Sequence, residues 1–278
     1  MTDYSKQIAV VGGTAGIGRA IARYFAARGA KVIVLGRTFR DQGTRGIEFL
    51  QADLELMSEA RRVAKALPAE TLDLVVFTTG TFPARHREET QEGIERDMAV
   101  SYLSRLVILN GIASRLGRDR SKGQSRPRVF IMGMPGSSQT GDIDDLNSEK
   151  SYGVMRAHSN TVGGNEALVY EGAERYPYLG VFGLAPGIIK TGIRGHAFGS
   201  HSPLWHLMEW LIGLFTPSAD DYAKNIGPLL VSPELEGRTG ECFNRKGKLI
   251  QRSTKLTPSY VQAYIAASEA LVAIKSPA

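Results

Sequence analysis

The chain has 278 residues, of which 42% are hydrophobic and 22% charged, and this composition suits one compact domain with a sizeable core. No stretch of about 18 apolar residues occurs, so no membrane-spanning helix is expected. The single cysteine, Cys242, excludes a disulfide framework within the chain and fits a reducing compartment. Because the short polar start, residues 1–7, does not resemble a signal peptide, we expect a cytoplasmic protein.

The net charge is +6, and such a basic protein could attract nucleic acid, an anionic membrane or an anionic cofactor. The longest basic region, Arg115 to Arg128, is interrupted by glycine and serine and has no interleaved aromatic residues. Nucleic-acid surfaces usually combine basic and stacking side chains, so we interpret this region as a solvated loop. We expect no nucleic-acid partner.

Apolar, β-rich runs alternate with longer helical segments along the chain. The predicted strands are Ile8–Val11, Val32–Leu35, Ile47–Leu50, Leu72–Phe77, Arg128–Met132, Gly180–Leu184 and Glu241–Asn244. The predicted helical segments are Ile17–Arg28, Leu54–Leu67, Glu88–Leu116 and Ser151–Glu174. The strands are continuously apolar, as expected for a parallel sheet that is buried on both faces. We therefore predict an α/β fold in a single domain, a doubly wound parallel sheet of about seven strands with helices on both faces.

A glycine-rich turn follows the first predicted strand and leads into an amphipathic helix. Gly12 permits a tight turn off the strand, Gly16 lets the backbone approach a pyrophosphate, and Gly18 lets the helix pack close to the sheet. The N-terminus of the helix then offers N–H groups and a positive dipole end to phosphates. The turn predicts dinucleotide binding by Gly12, Thr14, Ala15, Gly16, Ile17 and Gly18.

The end of the second strand indicates which dinucleotide is bound. An acidic residue there would bind the ribose hydroxyls of NAD, but the sequence reads Leu35-Gly36-Arg37-Thr38. Arg37 can pair with a phosphate through two hydrogen bonds, Thr38 can add a hydroxyl, and Arg40 lies nearby. We predict that NADP(H) is preferred over NAD(H), and the alternative is that Arg37 is an ordinary exposed loop residue.

The glycine spacing Gly-x-x-x-Gly-x-Gly resembles that of the short-chain dehydrogenase/reductase family, and the resemblance extends from Ile8 to about Ile250. It implies a Rossmann-type fold and a nicotinamide cofactor. Further positions that resemble the family's cofactor contacts are Asp53 and Leu54 at the adenine, Thr79 and Gly80 after the fourth strand, and Pro186, Gly187, Ile189 and Thr191 around the nicotinamide. Ile189 would hold the carboxamide through its backbone, and Thr191 would reach the carboxamide or a phosphate.

The family reduces carbonyl groups with a tyrosine, a lysine four residues later, a serine and an asparagine, and this chain departs from that set. Tyr152 occupies the tyrosine position, and Arg156 replaces the lysine. Because the two residues are expected to share one helical turn, Arg156 could still bind the ribose. Met134 stands where the serine belongs, and Ser101 stands at the asparagine position. Both Tyr152 and Arg156 are also expected to contact the cofactor.

Neighbouring residues offer alternatives to this set. Ser137 or Ser138 could supply the missing hydroxyl, since Pro135-Gly136 bends the chain towards the site. Tyr152 could instead be a helix-face aromatic residue without chemistry. His158 is treated as structural or surface, because six residues of helix would turn it away from Tyr152.

Residues 192–218 resemble the segment that forms the substrate lid in the family. Leu204 to Phe215 is apolar nearly all round a helix, so it either is buried or grips an apolar partner. Three interpretations remain: a lid over a hydrophobic substrate, a subunit interface, or contact with a membrane surface. Gly163-Gly164 would let a second helix approach, and the resemblance implies a homodimer or homotetramer.

These observations lead to two hypotheses. The first is an NADPH-dependent oxidoreductase that reduces a carbonyl or imine of a hydrophobic small molecule, with Tyr152 as proton donor. The second is an NADP(H)-binding protein without the usual redox turnover, acting as a regulatory binder or as a cyclase or isomerase of a biosynthetic pathway. No metal site is predicted.

Overall fold

The computed structural model describes residues 3–120, 125–187 and 218–277. Within these ranges the centre of the fold is one eight-stranded sheet with the order β3-β2-β1-β4-β5-β6-β7-β8. The strands are β1 Gln7–Val11, β2 Lys31–Gly36, β3 Ile47–Gln51, β4 Leu74–Phe77, β5 Arg128–Met132, β6 Gly180–Ala185, β7 Glu241–Asn244 and β8 Leu249–Ile250. The doubly wound parallel sheet is thus confirmed, with an additional short antiparallel edge strand, β8, that the sequence did not predict.

Helices cover both faces of the sheet. They are α1 Gly16–Ala26, α2 Met57–Ala66, α3 Arg96–Met98, a π-helical turn Ala99–Leu103, α4 Ser104–Ile112, α5 Val154–Arg175, α6 Ala219–Leu230 and α7 Pro258–Lys275. Short 3₁₀ turns lie at Ala69–Thr71, Ala113–Arg115, Ile143–Asp145 and Pro233–Leu235. None of the helices in the described ranges has the length and apolar character needed to cross a membrane.

The alternation of side chains along each strand divides the core into two layers. Ile8 and Val10 of β1 face the layer that contains α1 and α6, and Ala9 and Val11 face the layer that contains α2, α4, α5 and α7. Because both faces of the strand are buried, β1 is apolar throughout, which is why its sequence does not alternate.

Two of the three predicted helices that begin later than the sequence suggested bear on the site. The segment Glu88–Leu116 becomes helical only at Arg96, where the side chain of Glu95 accepts a hydrogen bond of 2.8 Å from the backbone N–H of Met98 and so caps the first turn. The segment Ser151–Glu174 becomes helical only at Val154, because Gly153 is extended with φ −158° and ψ 136°. The second shift moves Tyr152 out of the helix.

The C-terminal helix α7, which the sequence did not predict, packs against the π-turn and α5. The Tyr102 hydroxyl donates to Ser268 (3.0 Å), and the Tyr264 hydroxyl donates to the backbone carbonyl of Asn160 (2.5 Å). The glycines expected to admit a partner helix meet residues of their own chain instead: a Cβ on Gly163 would lie 2.9 Å from the Gly141 nitrogen, and one on Gly164 would lie 2.9 Å from the Tyr102 ring. The homodimer or homotetramer remains a prediction, and the glycine pair no longer supports it.

The basic region is less solvated than its sequence suggests. Arg115 pairs with Glu70 (2.9 Å), and Arg120 pairs with Asp73 (2.6 Å). The buried Arg128 donates to the carbonyl oxygen of Leu230. These three arginines fasten the region to the body of the domain, so the interpretation as a solvated loop is wrong for them.

Candidate active site

The glycine-rich turn brings the start of α1 against the end of β4. Gly12 has φ +87°, a left-handed conformation, and a Cβ there would lie 2.6 Å from the backbone nitrogen of Thr79. A Cβ on Gly18 would collide with Thr78 Oγ1 and with the carbonyl oxygen of Gly12. Both glycines therefore have the roles that the sequence predicted for them, a tight turn and close packing.

The N-terminus of α1 lacks a side-chain cap. Its N-cap residue, Ala15, is extended and carries no acceptor, and the first turn contains no acidic residue. Two other helices are capped: Ser218 and Asp221 form a capping box on α6, and the Glu92 carboxylate accepts from the first two N–H groups of α2. Helix α5, like α1, has no side-chain cap. The uncapped N–H groups of α1 fit an external phosphate.

The end of β2 presents basic and hydroxyl groups. The Arg37 side chain is 63% exposed and makes a 3.3 Å ion pair with Glu55, and Thr38 is exposed as well. Asp41 is the next acid along the chain, but Arg19 binds both of its carboxylate oxygens at 2.8–3.1 Å. Those hydrogen bonds lower the pKa of Asp41. The carboxylate therefore stays ionised, and Arg19 neutralises its charge. The accessible charge at this strand end is thus positive.

An open cleft with a volume of about 630 Å³ lies beside the end of β3, where the resemblance puts the adenine. It is lined by Leu50, Gln51, Ala52, Asp53, Leu56, Glu59 and Arg62. Asp53 Oδ1 accepts from the backbone nitrogen of Glu55 (3.2 Å), and the Leu54 side chain is buried, so only the backbone of Leu54 could face a ligand. Asp53 thus lines this space, and its contact with adenine stays a prediction.

The ends of β4, β5 and β6 meet at the same edge of the sheet. Thr79 follows β4, and its buried Oγ1 has no hydrogen-bond partner in the described part of the chain. Gly80 is exposed directly after it, and Pro186 and Gly187 follow β6. Ile189, Thr191 and almost all of the predicted lid, 192–217, lie outside the described residues.

A buried arginine that the sequence reasoning missed joins two of these strand ends. Arg105 donates to the backbone carbonyls of Thr79 and Met132 and, at 2.7 Å, to Asn165 Oδ1. Burial lowers the pKa of Arg105 to about 9. The only sequence signal is a charged residue within the apolar run around Leu106, a position where arginine is rarely found without partners.

Ser101 lies in the π-turn, close to the loop that follows β4. Its hydroxyl donates to Asp97 Oδ1 and accepts from the backbone nitrogen of Thr81 at 2.9 Å. Asn165 on α5 donates to the Ser101 carbonyl at 2.9 Å. Ser101 therefore lies beside the loop that follows β4, with its hydroxyl already in use, and its role at the family's asparagine position stays a prediction.

Tyr152 and Arg156 do not share a helical turn, so that part of the prediction is wrong. Tyr152 precedes α5, and its hydroxyl donates to the carbonyl oxygen of Ala84 at 2.5 Å. Burial, together with the negative charges of Glu95 and Asp97, raises the pKa of Tyr152 to about 12. Arg156 lies exposed in the first turn of the helix.

The turn after β5 replaces the family's serine with an apolar side chain. Met134 is 48% exposed, so it can contact a substrate but cannot donate a hydrogen bond. Ser137 is exposed, and the backbone nitrogen of Ser138 donates to Ser253 Oγ at 3.2 Å. Ser138 thus lies beside the segment that follows β8.

His158 lies near this strand edge, which the sequence reasoning did not foresee. Its ring centroid is 4.8 Å from that of Phe82, and its Nδ1 is 3.7 Å from Asp97 Oδ2. The direction predicted for His158 assumes that Tyr152 lies in the same helix, and Tyr152 is not in that helix. The sequence signal that could have located His158 is Asp97, an acid within an apolar helical segment that the structure shows to be buried.

Comparison with known proteins agrees with this architecture. A family model described as short chain dehydrogenase matches residues 6–124. The chain is 47% identical to a Saccharomyces cerevisiae protein described as an uncharacterized oxidoreductase, over 97% of this chain and 89% of the yeast protein. It is 28% identical to human retinol dehydrogenase 14, over 86% of this chain and 78% of that protein.

Solved structures share the fold. A short chain dehydrogenase from Salmonella enterica serovar Typhi superposes with a TM-score of 0.64 at 19% identity, covering 88% of this chain and 98% of that one. A short chain dehydrogenase from Shigella flexneri, solved with NADP, gives a TM-score of 0.64 at 19% identity and covers 88% and 100%. The family-model match, the extended similarity to the yeast oxidoreductase and the sheet order lead to one conclusion: the chain belongs to the short-chain dehydrogenase/reductase family.

Proposed function

We propose that the protein is an NADP(H)-dependent oxidoreductase that reduces a carbonyl or imine group of a hydrophobic small molecule. The observation that carries the proposal is the uncapped N-terminus of α1 beside the exposed Arg37. Together they offer backbone N–H groups to a pyrophosphate and a guanidinium to a 2′-phosphate. A bound nicotinamide cofactor would supply the hydride.

The residues at the strand edge fit the nicotinamide half of such a cofactor. Thr79 has a buried hydroxyl oxygen that no described residue satisfies, and Gly80 leaves the surface beside it open. Gly187, with φ +68°, turns the chain directly after β6. Ile189 and Thr191 would follow as the carboxamide contacts, as proposed from the sequence. Arg105 fixes the carbonyls of Thr79 and Met132, and so holds this edge rigid.

Hydrophobic substrates are supported by the names of relatives. Human retinol dehydrogenase 14 and a mouse polyprenol dehydrogenase, 25% identical to this chain, are named for lipophilic alcohols. Met134 stands in place of the family's serine, and its exposed side chain gives the candidate site an apolar contact for a substrate. We propose that residues 192–218 close over such a substrate, and that the protein acts in the cytoplasm.

The test is a binding titration followed by a turnover assay. NADPH should bind more tightly than NADH, and NADPH absorbance should fall with a panel of lipophilic carbonyls comprising all-trans-retinal, a polyprenal and an aromatic ketone. Failure to bind either cofactor would contradict the proposal outright.

A second candidate is an NADP(H)-binding protein without redox turnover, and one observation favours it. Tyr152 is engaged with Ala84, and Arg156 is exposed, so the family's proton machinery is not assembled around them. Tight NADPH binding without oxidation by any member of the panel would establish this candidate instead.

A further inference from the structure

We propose that His158, oriented by the buried carboxylate of Asp97, donates the proton to the substrate in place of Tyr152. The inference rests on the proposed reductase function and assigns the acid of that same site. His158 lies on α5 and packs against Phe82 in the loop that follows β4, close to the other candidate contacts.

One face of α5 is fixed against α3 and the π-turn by hydrogen bonds along successive turns. Thr161 donates to Asp97 Oδ2 (3.0 Å), and Asn165 donates to the carbonyl of Ser101 (2.9 Å). His158 precedes Thr161 by three residues and therefore lies on the same face. Since Ser101 also binds the backbone of Thr81, this face looks onto the loop that follows β4.

Asp97 is fully buried and serves as the common acceptor of the cluster. Ser101 donates to its Oδ1 and Thr161 to its Oδ2, while His158 Nδ1 lies 3.7 Å from the same Oδ2. That Nδ1 is buried and has no hydrogen-bond partner among the residues described, so a small rotation of the ring would satisfy it on Asp97.

Part of the imidazole remains exposed. The His158 side chain is 19% exposed, and because Nδ1 is buried this exposure belongs to its other atoms. A carboxylate that accepts a hydrogen bond from Nδ1–H fixes the tautomer and orientation of a histidine. Phe82, with its ring centroid 4.8 Å away, packs against one side of the ring.

The proton transfer balances without any additional reactant. In the reductive direction the carbonyl carbon gains a hydride from a reduced nicotinamide of the NADPH class, and the C=O π electrons move onto oxygen. The oxygen takes the proton from Nε2 of the His158 imidazolium, so that an alcohol forms and a neutral imidazole remains. A proton from solvent then returns to Nε2, so each turnover consumes one hydride and one solvent proton.

Tyr152 is less suited to the same task in this structure. Its hydroxyl hydrogen is donated to the Ala84 carbonyl, and its pKa is raised to about 12 by burial and by Glu95 and Asp97. A proton donor near neutral pH works best when its pKa lies close to the pH of the reaction.

The first test is nuclear magnetic resonance of the histidine ring nitrogens in the full-length protein, with His158→Gln identifying the His158 signals. NADP⁺ and NADPH differ only in the nicotinamide ring, so the two complexes should give different His158 signals and identical His86 signals. In the cofactor-free protein, Asp97→Asn should shift the His158 nitrogens. Equal His158 signals in both complexes would overturn the inference alone, whereas absence of cofactor binding would overturn the proposed function with it.

The second test is turnover of the lipophilic carbonyl panel with NADPH. His158→Ala should lower kcat by about 100-fold or more with an unchanged Kd for NADPH, and added imidazole should restore part of the rate. The control His86→Ala should retain kcat. Tyr152→Phe should keep most of its activity, and a loss there with none in His158→Ala would overturn the inference. Binding without turnover of any carbonyl would overturn both the proposed function and the inference.

Discussion

The two ends of the candidate site are built in different ways. The phosphate end depends on backbone: Gly12 and Gly18 allow the close approach of α1 to β4, and the N–H groups of α1 need no particular side chain. The reaction end depends on side chains around Asp97, whose partners come from the π-turn and α5. A family can therefore keep the first end nearly constant while the second is rebuilt, and we propose that this chain follows that pattern.

The largest expected effect tests whether the reaction end is held by Arg105. Arg105→Met should lower the free energy of unfolding by about 3 kcal/mol, because two backbone carbonyls and Asn165 lose a buried donor. Chemical denaturation measures this change. The exposed Arg118→Met is the matched control and should change stability by less than about 0.5 kcal/mol. Equal effects of the two variants would show that Arg105 does not hold the strand ends together.

Cofactor binding at the phosphate end can be tested by substitution of Gly12. A Cβ there strikes the Thr79 backbone, so Gly12→Ala should weaken NADPH binding by about 100-fold, or about 2.7 kcal/mol. Gly29→Ala is the control, since Gly29 also has positive φ, +93°, but a Cβ there meets nothing within 4 Å. Fluorescence titration of both variants separates the collision from the strain of a left-handed residue. An unchanged Kd in Gly12→Ala would place the phosphates elsewhere.

The pH dependence of stability provides a test at Glu95, which lies at the reaction end. Burial raises the pKa of Glu95 to about 7 from its usual 4.5, so folding favours the protonated carboxyl. Its contribution to stability is full below about pH 4.5 and is lost as the pH rises through about 7. Glu95→Gln should therefore stabilise the fold by on the order of 2 kcal/mol at about pH 8, with little change at about pH 4.5. Denaturation curves at both pH values check this, and a variant that is destabilised equally at both would refute the assignment.

The smallest effect concerns the choice of dinucleotide. Arg37→Asp should remove most of the preference for NADPH over NADH, a change of roughly 10-fold in the ratio of their Kd values. Arg85→Asp, an exposed arginine in the loop after β4, is the control for overall charge. A preference that persists in Arg37→Asp would assign the 2′-phosphate contact to another residue.

The sequence predicted the parts of this fold that depend on local patterns. Seven strands, the glycine turn and the role of Gly12 follow from apolar runs and from backbone geometry at one turn. The short strand β8 has two residues, which is too few for a period, and the start of α7 was recognisable only from Thr257-Pro258, an N-cap followed by proline.

The reaction end was harder to predict because its geometry depends on where a helix begins. The extended Gly153 shifts the start of α5 past Tyr152, which separates Tyr152 from Arg156 and invalidates the angle used to dismiss His158. The partner of His158, Asp97, lies 61 positions earlier and reaches it only through tertiary packing. Spacing along one segment contains no information about such a contact.

The most direct test of the account is a crystal structure of the protein with NADP⁺. We predict the pyrophosphate at the N-terminus of α1, the 2′-phosphate on Arg37, and the nicotinamide ring facing His158 while the Tyr152 hydroxyl stays on Ala84. A nicotinamide that faces a released Tyr152 hydroxyl, with His158 turned away, would contradict the claim that the reaction end has been rebuilt around Asp97.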